Sequence, residues 1–512
     1  MALGKADLVL HGGVILGHPG CDSVAIAGGR ITAVGGFNEL KPLVGPRTHM
    51  VRLVGRAVAP GLIDSHLHFQ EAASAAVGLQ VSRAHTIADL QTDLRTGAAR
   101  TAPGNWLKAF GCDEALLKER RSPTRKELDD AVPKHPLRLR HQTLHASWLN
   151  SRAIRALGLE APDFKPPDGV QLVRDSAGNL SGLAVGMEEW ITRRLPPVTA
   201  ADLEARARVF SRELAAAGTT AFTDATARNG LDEIRLFARL RSEHSFCQRA
   251  FLMLGAAHLD EVTEARAAAE SAGMTLTAVK FIPDASTDPA MTAQQVVRAI
   301  AAGLDCAFHA TEIEELEAAL SAVELAQLKM PDCGTTRWRI EHGGLIPPDY
   351  VARLRAVGAW VVTNPGFVHF RGDKYRAEPG LVPYLYRVRS LKAAGIEIAG
   401  ATDAPVTPAR PLAAIAAAVS RTTASGERLA PDETVSPDEA LALFTRSAAK
   451  LARLEAGEIA IGRLADLIVL PHNPCDMTAA EIVNLQVDMT LIDGHIVYER
   501  GVSALTSGIA NA

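Results

Sequence analysis

A (β/α)8 TIM-type barrel, interrupted by a large insertion and joined by a small β-sandwich domain from both termini, is the fold this sequence predicts. Three observations predict it. Short apolar runs alternate with Ala-rich amphipathic stretches, the texture of parallel β/α units. Ligand-type residues (His, Lys, Asp) close several of those runs, and barrel chemistry is built at strand C-termini. The two ends of the chain share one pattern of brief strands and Gly-containing turns, and chain termini often lie close together.

The elements follow in order. Before residue 57, strands are predicted at Asp7–His11, Val14–Leu16, Ser23–Ala27, Arg30–Val34 and Val51–Leu53, with Gly12-Gly13 and Gly28-Gly29 as turns. The first barrel strand is predicted at Ala59–Ile63, leading into Asp64-Ser65-His66-Leu67-His68. Seven more follow at Thr219–Thr223, Arg249–Leu254, Thr277–Ile282, Cys306–His309, Trp338–His342, Trp360–Thr363 and Glu397–Thr402, with helices such as Ala201–Ala216, Leu259–Ser271, Ala293–Ala302 and Ile313–Ala326 between them. About 150 residues separate His68 from Thr219, far more than a βα loop needs. The far end repeats the opening texture at Asp466–Leu470, Met489–Ile492 and His495–Tyr498, with Asp493-Gly494 as a primed hairpin turn. The predicted domains are 1–57 plus 455–505 (small β-sandwich), 58–454 (barrel) and, within the barrel, 70–198 (insertion).

Composition narrows the functional classes. The chain has 512 residues, 47% of them apolar and 22% charged, with a net charge of −4. That is ordinary for a globular protein and gives no reason to expect nucleic acid or a membrane surface as partner. Cys21, Cys112, Cys247, Cys306, Cys333 and Cys475 are scattered without a C-x-x-C pair, which predicts reduced thiols and a cytoplasmic protein. No signal peptide or membrane span is expected. The expected partners are a small-molecule substrate and further copies of the chain, in a dimer or larger homo-oligomer.

The candidate chemistry sits at the strand ends. His66 and His68 are one residue apart, so on a strand both imidazoles face one side, and neutral imidazole is a standard ligand for zinc and similar metals. Lys280, His309, His342 and Asp403 end later strands. Any one of these has an ordinary explanation, a hydrogen-bonded packing His or a helix-capping Asp. Six of them in barrel order predict a metal site. The alternative for Lys280 is a buried lysine paired with Asp224 or Asp284.

These motifs make the resemblance plain. The chain resembles the amidohydrolase superfamily of metal-dependent barrel hydrolases, and within it amidohydrolase family 3, the group that includes N-substituted formamide deformylase. The likeness runs from Gly28-Gly29-Arg30-Ile31 and Pro60-Gly61-Leu62-Ile63-Asp64-Ser65-His66-Leu67-His68, through Trp106-Leu107, Gly111-Cys112-Asp113-Glu114 and His145-Ala146-Ser147-Trp148-Leu149-Asn150-Ser151, to Arg339-Ile340-Glu341-His342, Thr402-Asp403-Ala404-Pro405 and Gly462–Leu470. It implies one or two divalent metals, zinc first. His66, His68 and Asp403 would bind the more buried metal, His309 and His342 the more exposed one, and Lys280 would bridge them as N6-carboxylysine. It also implies Asp403 as the proton carrier and hydrolysis of an amide-like C–N bond by a metal-activated water. Deamination, a decarboxylase-type reaction and a non-catalytic scaffold are the competing readings. Thr311-Glu312, Thr143-Leu144 and Ala285 depart from the family pattern near the expected pocket. Phe69, Gln70, Trp106, His145, His369 and Arg371 are the predicted substrate-binding residues. The last two lie on Asn364–Tyr375, predicted as a loop, where Arg371 or Lys374 would hold a substrate carboxylate.

Overall fold

The computed structural model describes residues 4–501 apart from 168, 197, 333 and 377. Cys333 and the expected tail of the small domain, 502–505, therefore lie outside the described residues. The chain folds as two compact units, one made of the residues up to 69 together with those from 210 onward, the other of residues 70–209.

The first unit holds the barrel. Eight parallel strands run β1 (Leu62–Leu67), β2 (Thr219–Asp224), β3 (Arg249–Gly255), β4 (Thr275–Phe281), β5 (Asp305–Ala310), β6 (Trp338–His342), β7 (Trp360–Thr363) and β8 (Glu397–Gly400), each pairing with the next. The seam between β1 and the end of β8 is stitched by Asp403 N–H donating to the His66 carbonyl at 2.9 Å and His68 N–H donating to the Ala404 carbonyl at 2.8 Å. The strands are buried almost throughout, as expected when a parallel sheet is covered on both faces.

One expectation changes here. The run predicted as the first barrel strand, Ala59–Ile63, is two strands parted at Gly61: Ala57–Pro60 pairs antiparallel with Leu467–Leu470, and only Leu62–Leu67 enters the barrel. The terminal residues form a four-stranded sheet (Arg30–Gly35, Ser23–Ala27, Leu8–His11, His49–Arg52) and a five-stranded one (Val14–Ile15, Ala57–Pro60, Leu467–Leu470, Met489–Ile492, His495–Glu499). Leu10, Val24, Ile26 and Leu53 share one apolar core with Leu467, Val469 and Leu491. Asp493 and Gly494 both take positive φ, 51° and 72°, as a primed hairpin requires.

The second unit carries a six-stranded mixed sheet, Gln171–Arg174, Leu180–Val185, Ala146–Leu149, Leu137–His141, Leu107–Cys112 and Leu79–Gln80. Leu137-Arg138-Leu139-Arg140 alternates like a half-solvated strand, yet Arg138 and Arg140 are only 4% and 7% exposed. Glu188 accepts from both arginines and Glu71 from Arg140, as buried charges require.

Candidate metal centre

Each predicted ligand is placed by backbone that the sequence cannot easily move. His66 lies on β1, and Asp64 two residues earlier accepts hydrogen bonds from the Thr402 N–H at 3.0 Å and hydroxyl at 2.5 Å. That clamp fixes the segment carrying Asp403 against β1. Burial pushes the Asp64 carboxyl up to about 7, partly offset by the Thr402 bonds. His342 and Asp403 both take positive φ, 70° and 60°, a strained conformation for residues with side chains and one found at functional positions. After His342 the chain passes so close to β5 that a Cβ on Gly344 would meet the Thr311 carbonyl at 2.4 Å. Glycine there lets the His309 and His342 strand ends approach.

Four imidazoles and one carboxylate converge. Ligand atoms of His66, His68 and Asp403 all lie within 4.8 Å of one another. The Asp403 Oδ1 is 3.6 Å from His66 Nε2 and 3.2 Å from His68 Nε2. His309 Nδ1 and His342 Nε2 stand 3.0 Å apart, and the His66 and His342 rings are 4.7 Å apart between centroids.

Outer partners set which nitrogen points inward. His66 Nδ1 donates to Glu341, which is itself gripped by Arg339 at 2.7 Å. His68 Nδ1 meets the Thr226 hydroxyl at 3.0 Å and His342 Nδ1 meets Asn364 Oδ1 at 2.8 Å. In each case one ring nitrogen is held from outside and the other is left for a ligand, the arrangement that orients histidine on metals. Burial, with Lys280 and the neighbouring histidines, holds His66 and His342 well below the ordinary imidazole pKa, so both stay neutral and ligand-competent.

Lys280 is 2% exposed, and its Nζ has no hydrogen-bond partner among the described residues. Burial brings its ammonium down to about 8, against the pull of Glu341 and Asp403. The alternative partners are committed elsewhere. Asp224 accepts from the Phe69 and Thr226 N–H groups and the Asn229 amide, and Asp284 caps its own exposed turn through Ser286 and Thr287. Neutral imidazoles aimed inward, a carboxylate among them and an orphaned buried amine are a donor set that fits divalent metal.

The remaining predicted residues divide. Phe69 does not line the floor of the site. Its side chain is fully buried against Phe210, Phe222, Phe237 and Phe246, with the Phe222 ring stacked at 4.9 Å, because Phe69 opens a helix (Phe69–Val77) that turns it into the core. Phe69→Ala is therefore expected to lower unfolding free energy by about 3–5 kcal/mol, read from denaturant midpoints. Gln70 follows on that helix. Trp106 packs on the apolar core of the second unit and His145 is exposed there. Asn364–Tyr375 is not a loop, since Gly366–Tyr375 is a helix. On it, His369 Nδ1 meets the Thr422 carbonyl at 3.1 Å, and Arg371 lies over the Phe367 ring at 5.4 Å.

Several residues escaped the sequence reading: Asp64, Arg339, Glu341, Asn364 and Thr402. All stand on or beside the ligand-bearing strand ends, and strand alternation from His66 points to Asp64. Glu315 is another. Its carboxylate accepts from Thr311 N–H and hydroxyl and from Glu312 N–H, and lies 3.8 Å from His309 Nε2. The departure at Thr311-Glu312 thus builds a helix start beside His309. In the second unit Asp113, Glu114 and His141 also gather. There Thr143 N–H donates to His141 Nδ1 at 3.0 Å, so the neutral ring carries its proton on Nε2, toward Glu114 Oε2 at 3.4 Å.

An eight-stranded parallel barrel with inward-facing imidazoles and a carboxylate at its strand ends is the architecture of a metal-dependent hydrolase. An amidohydrolase family profile matches residues 50–498. N-substituted formamide deformylase of Arthrobacter pascens is 26% identical over 93% of this chain and 95% of its own length. A metal-dependent hydrolase structure from Pyrococcus horikoshii superposes with a TM-score of 0.71 at 21% identity, over 92% of this chain and 99% of that one. Zinc-complexed atrazine chlorohydrolase from Arthrobacter aurescens superposes with a TM-score of 0.56 at 13% identity, over 98% and 97%. The chain belongs to the amidohydrolase family and is a hydrolase acting on carbon–nitrogen bonds.

Proposed function

We propose that this protein hydrolyses the C–N bond of an amide-like small molecule, with Asp403 moving the proton between water and the leaving nitrogen. The observation that carries the reading is the Asp403 carboxylate, whose Oδ1 has no hydrogen bond among the described residues and lies 3.2 Å from His68 Nε2. It is poised as an acceptor where ligand nitrogens meet. We read the metal as zinc: His66, His68 and Asp403 would hold one ion, His309 and His342 would hold a second, and Lys280 as a carbamate would serve both. Bound there, a divalent cation supplies Lewis-acid activation of water and of a carbonyl at neutral pH. Asp403 accepts the water's proton and returns it to the departing amine, one group serving both steps. Glu341 and Asn364 keep His66 and His342 in the tautomers that face inward.

N-formyl and N-acyl amines are the first substrate class to try, because the Arthrobacter pascens relative is an N-substituted formamide deformylase. The test is amine release from a panel of N-formyl amines, N-acyl amines and cyclic amides by zinc-replete protein. Turnover of at least one class is expected, and silence across the panel would overturn the reading. No helix among the described residues is long and apolar enough to cross a membrane. A cytoplasmic homo-oligomer remains our reading for the cell.

We also read the terminal sheets as a small β-sandwich domain. Support comes from the antiparallel pairing of Ala57–Pro60 with Leu467–Leu470 and from the core both termini share. Truncation after Gly457 would strip three strands and bare the edge of Ala57–Pro60. The truncated protein is expected in the insoluble fraction, and a monodisperse, cooperatively folding product would contradict the sandwich.

A further inference from the structure

One aromatic ring joins His342 to a cation. Phe367 stacks on His342 with 18° between the rings and 6.3 Å between centroids, and the Arg371 guanidinium lies over Phe367 at 5.4 Å. Arg371 is half-buried, and no carboxylate stands within ion-pairing distance of it among the described residues. Lys374, the other cation named for this helix, is already engaged. A partly desolvated guanidinium without an anion gives up hydration that only part of a cation–π contact restores.

The wall next to Arg371 offers hydroxyls in a fixed place. Tyr386 meets the edge of Phe367 at 5.3 Å, and its hydroxyl is 3.0 Å from that of Tyr375. Two phenols bonded to each other use one O–H inside the pair, so one O–H remains to donate outward. Tyr386 takes φ of 41°, a strained conformation for a bulky residue and one that persists only when the surroundings enforce it. They do. Its N–H donates to the Gly344 carbonyl at 3.0 Å, two residues past His342. Buried Arg421 donates to the Tyr386 carbonyl at 2.8 Å and the Leu385 carbonyl at 2.9 Å. Leu345, Val406 and Leu429 pack with Phe367 and Tyr386 in one apolar cluster.

We propose that Arg371, with the Tyr375–Tyr386 hydroxyl pair, grips a carboxylate carried by the amide substrate. Guanidinium matches carboxylate in a two-bond fork and the phenol adds a third donor. The inference rests on the amide-hydrolase reading of the site and names its substrate class: an amide bearing an acid group, on either the amine or the acyl side.

The test uses zinc-loaded, full-length protein and matched amides. N-formyl- and N-acetylphenylalanine carry the carboxylate on the amine side, N-succinylphenethylamine carries it on the acyl side, and N-formyl- and N-acetylphenethylamine lack it. One charged series is expected to exceed its neutral counterpart in kcat/KM by at least about thirtyfold, the worth of a hydrogen-bonded charge. The winning series assigns the side. Arg371→Met should bring that ratio to within about threefold of unity, KM rising more than kcat falls, and Arg371→Lys should lower it less. Equal kcat/KM for charged and neutral amides, or a ratio unchanged in Arg371→Met, overturns the inference and leaves the hydrolase reading intact. If no amide turns over, the hydrolase reading fails, and calorimetric titration with 3-phenylpropanoate decides this inference separately. A Kd at least about tenfold weaker in Arg371→Met supports it, and equal Kd values overturn it. Circular dichroism and metal content check each variant's fold, with Arg371→Lys standing in should Arg371→Met misfold.

Discussion

Asp403→Asn is expected to lower kcat about a thousandfold, the scale of a lost general base, while the protein keeps its fold and at least one equivalent of metal. An amide still offers an oxygen to a cation but takes no proton at neutral pH. The fold should survive because the backbone at Asp403, not its side chain, ties the barrel seam, through the N–H to the His66 carbonyl at 2.9 Å. Steady-state kinetics beside elemental analysis separate the two effects. Activity within about tenfold of the parent would remove Asp403 from proton transfer.

Lys280→Ala is expected to lose at least one equivalent of metal and nearly all turnover, with partial return of both on adding short carboxylic acids. Four imidazoles and one carboxylate carry a single negative charge, too little for two divalent cations. A carbamate on Lys280 brings two more oxygens and a second negative charge. The pH dependence follows from the amine. Only its neutral form reacts with carbon dioxide, and burial has brought the ammonium down to about 8. The neutral fraction therefore grows as pH rises through that value. At a fixed partial pressure of carbon dioxide, metal uptake by stripped protein should be faster above pH 8 than below 7, a difference Lys280→Ala should erase. Undiminished metal in the alanine variant would contradict the bridge.

The candidate metal site was legible in the sequence because its candidate ligands mark strand ends, and a parallel barrel gathers strand ends at one mouth. His66, His309, His342 and Asp403 needed only the strand count to be placed together. What surrounds them was less legible, for physical reasons. Phe69 follows the ligands directly, yet a helix begins there and one turn of backbone sends the ring into the core. The burial of Arg138 and Arg140 depends on the tertiary placement of Glu188 and Glu71, which spacing along the chain does not reveal. The glycines of the segment after β7 suggest a loop where the chain forms a helix. Gly372 serves close packing instead, since a Cβ there would meet Thr423 at 2.7 Å. The departures at Thr311-Glu312 turned out to matter through Glu315, whose role depends on a helix cap that spacing alone does not reveal.

Removal and return of metal tests the central claim most directly. Protein stripped with a chelator should lose amide hydrolysis by at least about a thousandfold, and zinc added back should restore the rate in proportion to the metal bound. Amide cleavage that persists in stripped protein, or zinc-replete protein that releases no amine from any amide, would contradict it.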